Sequence, residues 1–203
     1  MNYPDYSLGD FIMKIKIGFF AAMLFLSLLI THSYFAVAAL CAVLIHELGH
    51  ILIAKIRNIK FAECRISIFG AGLTPCYNDY SYTDEIILCI GGPAANIITA
   101  FLMLFLFAGS KNEIILYFIV SSITLALFNL MPIKDLDGGR ILYSLLCICN
   151  DPYRSERILS VISFILIFIF WIISVYFILI AKANLSLFVF SISLFTRIFI
   201  KKI

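Results

Sequence analysis

The 203-residue chain is predicted to be an all-α polytopic membrane protein of about six transmembrane helices, with a short membrane-boundary β segment near residues 61–74. Three observations predict this. Hydrophobic residues make up 63% of the sequence and charged residues only 13%, far from the balance of a soluble globular domain. Six apolar stretches, at about 15–30, 34–53, 86–108, 114–131, 158–180 and 185–200, are candidates for spans. Nothing between them is polar and long enough for a separate soluble domain, so 1–203 reads as a single domain.

The first stretch is short, and Lys14 and Lys16 at its start are expected to snorkel to the interface. Basic residues, an apolar run and then the small residues Ala36 and Ala38 give this end some signal-peptide character. Cleavage there would cut into the second stretch, so an uncleaved first span is expected. The second stretch contains His46-Glu47-Leu48-Gly49-His50. After it, Ala62, Cys64, Ile66 and Ile68 alternate with Phe61, Glu63, Arg65 and Ser67, a two-residue period that predicts a strand, and Gly70-Ala71-Gly72 can turn it. An open strand edge is not tolerated in lipid, so this segment is expected at the membrane boundary, where its edge is suited to pair with an extended peptide.

The third and fifth stretches are long enough for a tilted crossing. The fourth runs into Asn129-Leu130-Met131-Pro132-Ile133-Lys134-Asp135-Leu136-Asp137-Gly138-Gly139. Pro132 interrupts helical hydrogen bonding there, and the two glycines free the backbone to turn. The sixth stretch is short, with Arg197 and Lys201 placed to snorkel.

Basic residues set the expected orientation. With six spans starting in the cytosol, thirteen Lys and Arg residues fall inside and only Lys111 and Lys182 outside. Both termini of the multi-pass protein are therefore expected in the cytosol. The net charge of +3 is accounted for by the cytosolic loops, and no nucleic-acid footprint is present. The six cysteines form no C-x-x-C pair and fall mostly in spans or on the cytosolic side, so they read as small apolar fillers.

The chemistry concentrates in the second stretch. Residues four apart share a helix face, so His46 and His50 can hold one zinc ion through their imidazoles. Glu47 projects beside that site, placed to take a proton from a water activated there. Two histidines and a carboxylate within an apolar segment are costly, which marks them as functional candidates. A catalytic zinc takes three protein ligands. The remaining histidine, His32, lies at the outer end of the first span, too far away for the task. Asp135 and Asp137 end the fourth span at the same cytosolic depth as the histidines. The alternative is that both merely begin the amphipathic stretch after Gly139, as acidic residues at a helix N-terminus. Chemistry alone does not choose between the two aspartates.

HELGH in the second span and N-x-x-P-x-x-x-L-D-G-G in a later one closely resemble the site-2 protease family of intramembrane zinc metalloproteases. The resemblance implies His46 and His50 as ligands, Glu47 as catalytic acid/base and Asp137, the aspartate of L-D-G, as third ligand. A third family element, G-P-x-x-N, occurs as Gly92-Pro93-Ala94-Ala95-Asn96. Pro93 and Asn96 are accordingly expected to open and line a substrate cleft, although Gly91 and Ala95 also suit a close helix-packing face. Asn129 is expected to hydrogen-bond substrate backbone or oxyanion, or else to join the helices of the bundle. Lys134-Asp135 depart from the prolines or apolar residues usual before L-D-G. No PDZ-like insert separates the spans, and the compact core resembles the sporulation branch, which cleaves a pro-sigma factor, but without the CBS domain often found there.

What the resemblance implies is a single transmembrane metalloprotease domain, in a bacterial cell membrane, that uses Zn²⁺ to hydrolyse a peptide bond in or near a substrate's transmembrane segment. Its expected partners are a transmembrane or membrane-associated peptide substrate and the lipid bilayer, with a regulatory membrane partner as a further candidate. The alternative is a catalytically inactive pseudoprotease that grips membrane helices, against which the complete ligand set and Glu47 argue. A metal transporter would need ionisable residues strung across the spans, and the sequence shows none beyond the cytosolic-side cluster.

Overall fold

A computed structural model of the chain describes residues 14–17, 34–59, 61–67, 70–75 and 81–181. Helix α1 (Tyr34–Ile56) carries the H-E-x-x-H motif. It is followed by α2 (Tyr82–Ser110), α3 (Glu113–Asn129), α4 (Asp137–Cys149) and α5 (Pro152–Ala181). Strands β1 (Lys14–Ile17), β2 (Phe61–Ser67) and β3 (Gly70–Pro75) form one sheet in the order β1-β2-β3.

Among the described residues, α1, α2 and the Pro152–Tyr176 part of α5 are long and apolar enough to cross a membrane. Helix α3 is equally apolar but has 17 residues. That corresponds to about 26 Å of helix against a hydrocarbon core of about 30 Å. The expected first span needs correction at its start, because residues 15–17 lie in β1 and not in a helix. The remainder of that span, 18–30, and the whole of 185–200 lie outside the described residues, as does His32.

The helix ends follow from local chemistry. Ser81 caps α2, its hydroxyl accepting the Asp84 N–H at 3.1 Å, and Asn112 caps α3, its side-chain oxygen accepting the Ile114 N–H at 2.8 Å. Between those helices Lys111 turns the chain in the left-handed region at φ 48°, its N–H donating to Phe107 O, so α2 and α3 form a tight helical hairpin. Pro152 starts α5 at the one helical position where its missing N–H costs nothing.

Packing inverts the pattern of a water-soluble protein. The buried positions are occupied largely by small residues, among them Ala38, Ala42, Ala100, Ala126, Ser122 and Ser163, while Leu48, Ile98, Phe105, Leu127 and Ile165 point outward. Small side chains let helix backbones approach, and large apolar ones face lipid. Gly49 and Gly91 show the approach at its closest, since a Cβ on Gly49 would overlap the Gly91 carbonyl oxygen. This contact seats the C-terminal half of α1 against the N-terminal half of α2.

The sheet differs from expectation in two respects. Gly70-Ala71-Gly72 do not turn the chain. They open β3, pairing with Ser67, Ile66 and Arg65, so the reversal falls between Ser67 and Gly70. Strand β2 is also not an edge, because β1 joins it in parallel with Lys14 opposite Glu63 and Ile17 opposite Ile66. Over Glu63–Ile66 it is paired on both sides.

Candidate metal centre

Three residues from two distant segments meet in the interior. His46 and His50 stand one turn apart on α1, and Asp137 is the first residue of α4. His46 Nε2 lies 3.1 Å from Asp137 Oδ2, His50 Nε2 lies 3.3 Å from the same oxygen, and the two Nε2 atoms are 3.2 Å apart. All three residues are buried, with one ligand atom from each within 4.8 Å of the others, a group able to hold a metal ion. Glu47 follows His46 on α1 and is half-buried.

The loop that delivers Asp137 is held by its own backbone and by α5. Asp135 turns the chain at φ 80°, in the left-handed region, two residues before α4 begins. Ser163 of α5 accepts the Lys134 N–H at 2.8 Å, and Ile133 and Leu136 pack with Ile167 in a buried apolar cluster. Gly138 and Gly139 are required by contact, since a Cβ on either would overlap the carbonyl oxygen of Leu130 or Ile133. The loop thereby folds onto the first turn of α4 and aims one aspartate, not both, at the histidines.

The surroundings fix the chemistry of the imidazoles. His50 Nδ1 lies 2.8 Å from the Leu88 carbonyl oxygen, which can only accept, so Nδ1 carries the proton and donates it. In its neutral form His50 then turns the lone pair of Nε2 toward the cluster. The Nε2 atoms of two imidazoles and a carboxylate oxygen converge there, a donor set that suits a cation once each nitrogen presents its lone pair. Gly92 of α2 leaves the room, because a Cβ there would overlap His50 Nε2 and come within 2.7 Å of His46 Nε2. The donor set, the His50 tautomer and the cradle fit a divalent metal of the zinc type.

Ion pairs tie the same end of the bundle together. Arg140 Nε of α4 reaches Glu85 Oε1 of α2 at 2.6 Å, and Arg57, just past α1, reaches Asp84 Oδ1 at 2.6 Å. The Arg57 pair is half-exposed and contributes little to stability, but it orients the helix ends.

Pro93, Asn96 and Asn129 are the other expected site residues. Pro93 and Asn96 are fully buried in α2 and face packed protein. Asn96 Nδ2 lies 3.3 Å from His46 Nδ1. Asn129, at the end of α3, donates from Nδ2 to Leu125 O of its own helix at 3.0 Å. The Leu88 carbonyl, the space at Gly92 and the Ser163 hydroxyl were not legible as parts of the site. The Gly91-Gly92-Pro93 run was the one available signal, and it reads equally well as helix packing.

A buried two-histidine, one-aspartate cluster inside a bundle of apolar helices, with a glutamate beside the first histidine, defines a membrane metalloprotease. The chain belongs to peptidase family M50, whose sequence profile matches residues 34–112 and 108–173, and membership implies zinc dependence. The fold is similar to that of the Site-2 Protease from Methanocaldococcus jannaschii, with a TM-score of 0.66 over 91% of this chain and 89% of that one at 22% sequence identity. A search of curated proteins found no match.

Proposed function

We propose that this metalloprotease hydrolyses a peptide bond in or near the transmembrane segment of a membrane-protein substrate. The convergence of His46, His50 and Asp137 beside Glu47, within helices of membrane-spanning character, carries the proposal. The three ligands would hold Zn²⁺. When bound, the ion supplies a Lewis acid that makes water a nucleophile near neutral pH. Glu47 takes the proton from the attacking water and delivers it to the leaving amine nitrogen. Asn129 bonds Leu125 O with one amide hydrogen, which leaves the other for the substrate backbone or the developing oxyanion.

The positive-inside bias supports six spans with both termini in the cytosol of a bacterial cell and the active site toward the cytosolic side. A reporter fused after Lys202 that proved extracytoplasmic would remove this orientation. Water reaches the site through a cavity on that side, for which the broken segment at Pro132 supplies irregular wall. Because the carbonyls of a helical substrate are occupied by hydrogen bonds, the cut site must unwind. Substrates are therefore expected to carry helix-weakening residues there. Among the described residues β1 and β3, not β2, are the outer strands of the sheet, and one of them would receive an extended substrate.

Membrane proteomes of cells carrying the wild-type chain and Glu47→Gln test the proposal directly. A membrane protein that accumulates uncut only in the mutant establishes proteolysis and identifies a substrate. Identical proteomes, with both proteins folded and expressed, would transfer the assignment to a helix-binding pseudoprotease.

A further inference from the structure

Asn96 has two unusual properties. It is 0% exposed in the middle of α2, and its Oδ1 is a buried acceptor with no hydrogen-bond partner, while its Nδ2 lies 3.3 Å from His46 Nδ1. An orphaned amide oxygen in a dry interior is costly, and hydrocarbon outside the bundle offers it nothing. The two amide atoms exchange places by a half-turn about the terminal torsion of the side chain, and nothing but the hydrogen-bond network distinguishes the two orientations.

The two orientations correspond to two tautomers of His46. With Nδ2 toward the ring, the amide donates to an unprotonated Nδ1, and the ring proton must sit on Nε2, facing Asp137 Oδ2 at 3.1 Å. With Oδ1 toward the ring, Nδ1 carries the proton and donates it to the orphaned oxygen, and the Nε2 lone pair is free. Only the second arrangement presents His46 Nε2 to a cation, and it is the arrangement that His50 already has through Leu88.

We infer that Asn96 is a positioning residue of the metal centre, whose amide oxygen accepts the His46 Nδ1–H and so turns the Nε2 lone pair to the ion. The inference rests on the metal-site reading above. In this role Asn96 acts through His46. Its place one turn beyond Gly92 on α2 gives that helix both of its functions at the site, since Gly92 leaves room for the ion and Asn96 holds a ligand. A sparse polar group in the core of an apolar helix is thereby accounted for.

The test measures zinc affinity of the full chain in detergent by competition against a chromophoric chelator, a reading independent of catalysis. Asn96→Leu keeps the volume and removes the acceptor, and its affinity should fall about 10- to 100-fold. Asn96→Asp presents acceptor oxygens in either orientation, and its affinity should equal or exceed that of the wild type. If Asn96→Leu does not fold, the Asp variant decides alone, because a tenfold loss there overturns the assignment. Equal affinity in wild type and Asn96→Leu also overturns it, while leaving the protease reading intact. A wild-type chain that holds no zinc overturns both.

Discussion

His46 Nε2 and Asp137 Oδ2 are 3.1 Å apart although 91 residues separate them in the chain, and α2, α3 and the Pro132 loop all lie between. Replacing Asp137 by alanine should lower zinc affinity by more than about 100-fold, beyond the range seen on loss of an outer-shell partner. Asp135→Ala should leave it within a few-fold, because Asp135 contributes a turn at φ 80° and stands outside the ligand cluster. Bound zinc in the two purified variants checks this, and the opposite ranking would refute the ligand assignment.

Glycine at position 92 is expected to be indispensable for metal binding more than for folding. The methyl group of Gly92→Ala would occupy space at both imidazole Nε2 atoms, so the rings must shift before an ion can enter. Zinc affinity should fall at least about 10-fold while helix content is retained, the cost of overpacking being about 1–3 kcal/mol. Circular dichroism alongside zinc titration separates the two effects. Loss of helix without loss of affinity per folded molecule would contradict the cradle.

Ser163 supports the loop from behind. Its hydroxyl is buried and accepts the Lys134 N–H at 2.8 Å, so Ser163→Ala leaves a backbone donor without that partner. The expected cost is about 1–3 kcal/mol of stability. A lower thermal midpoint with an accompanying loss of zinc affinity would show that the bond carries through to Asp137. Unchanged values for both would make the contact incidental.

Removal of the metal should be reversible and should soften the protein. At zinc concentrations about 100 times the dissociation constant, binding contributes about 2.7 kcal/mol to the folded state. Thermal unfolding of the wild type should therefore shift upward on zinc addition and back on chelation. Glu47→Gln should show the same shift and yet lose activity by about 100-fold or more, since only the proton carrier is removed. A Glu47→Gln variant without the zinc shift would mean that this residue supports the site rather than the proton transfer.

Much of the architecture was legible because its causes are local. The i, i+4 spacing of His46 and His50 fixes their common face wherever α1 sits, and runs of apolar residues foretold the helices within a few positions of α2, α3 and α5. The alternation over Phe61–Ser67 likewise concerns neighbours in sequence. What depends on distant partners was not readable. The parallel pairing of β1 with β2 joins segments far apart in the chain and turns a supposed edge into the centre of a sheet. Chemistry alone left Asp135 and Asp137 equivalent, and only the start of α4 at Asp137, fixed by the Ser163 bond and the glycine contacts, directs one carboxylate to the histidines. The contact of Asn96 with His46 was not readable either, because it is the Gly49–Gly91 approach that brings α2 close to α1 at that level. The sequence by itself determined the four apolar helices α1, α2, α3 and α5, the pair of histidines and the membrane setting, since periodicity and hydropathy act over a few residues. The tertiary structure alone decided which carboxylate, which carbonyl and which amide meet those histidines, because such contacts are set by how closely backbones can approach.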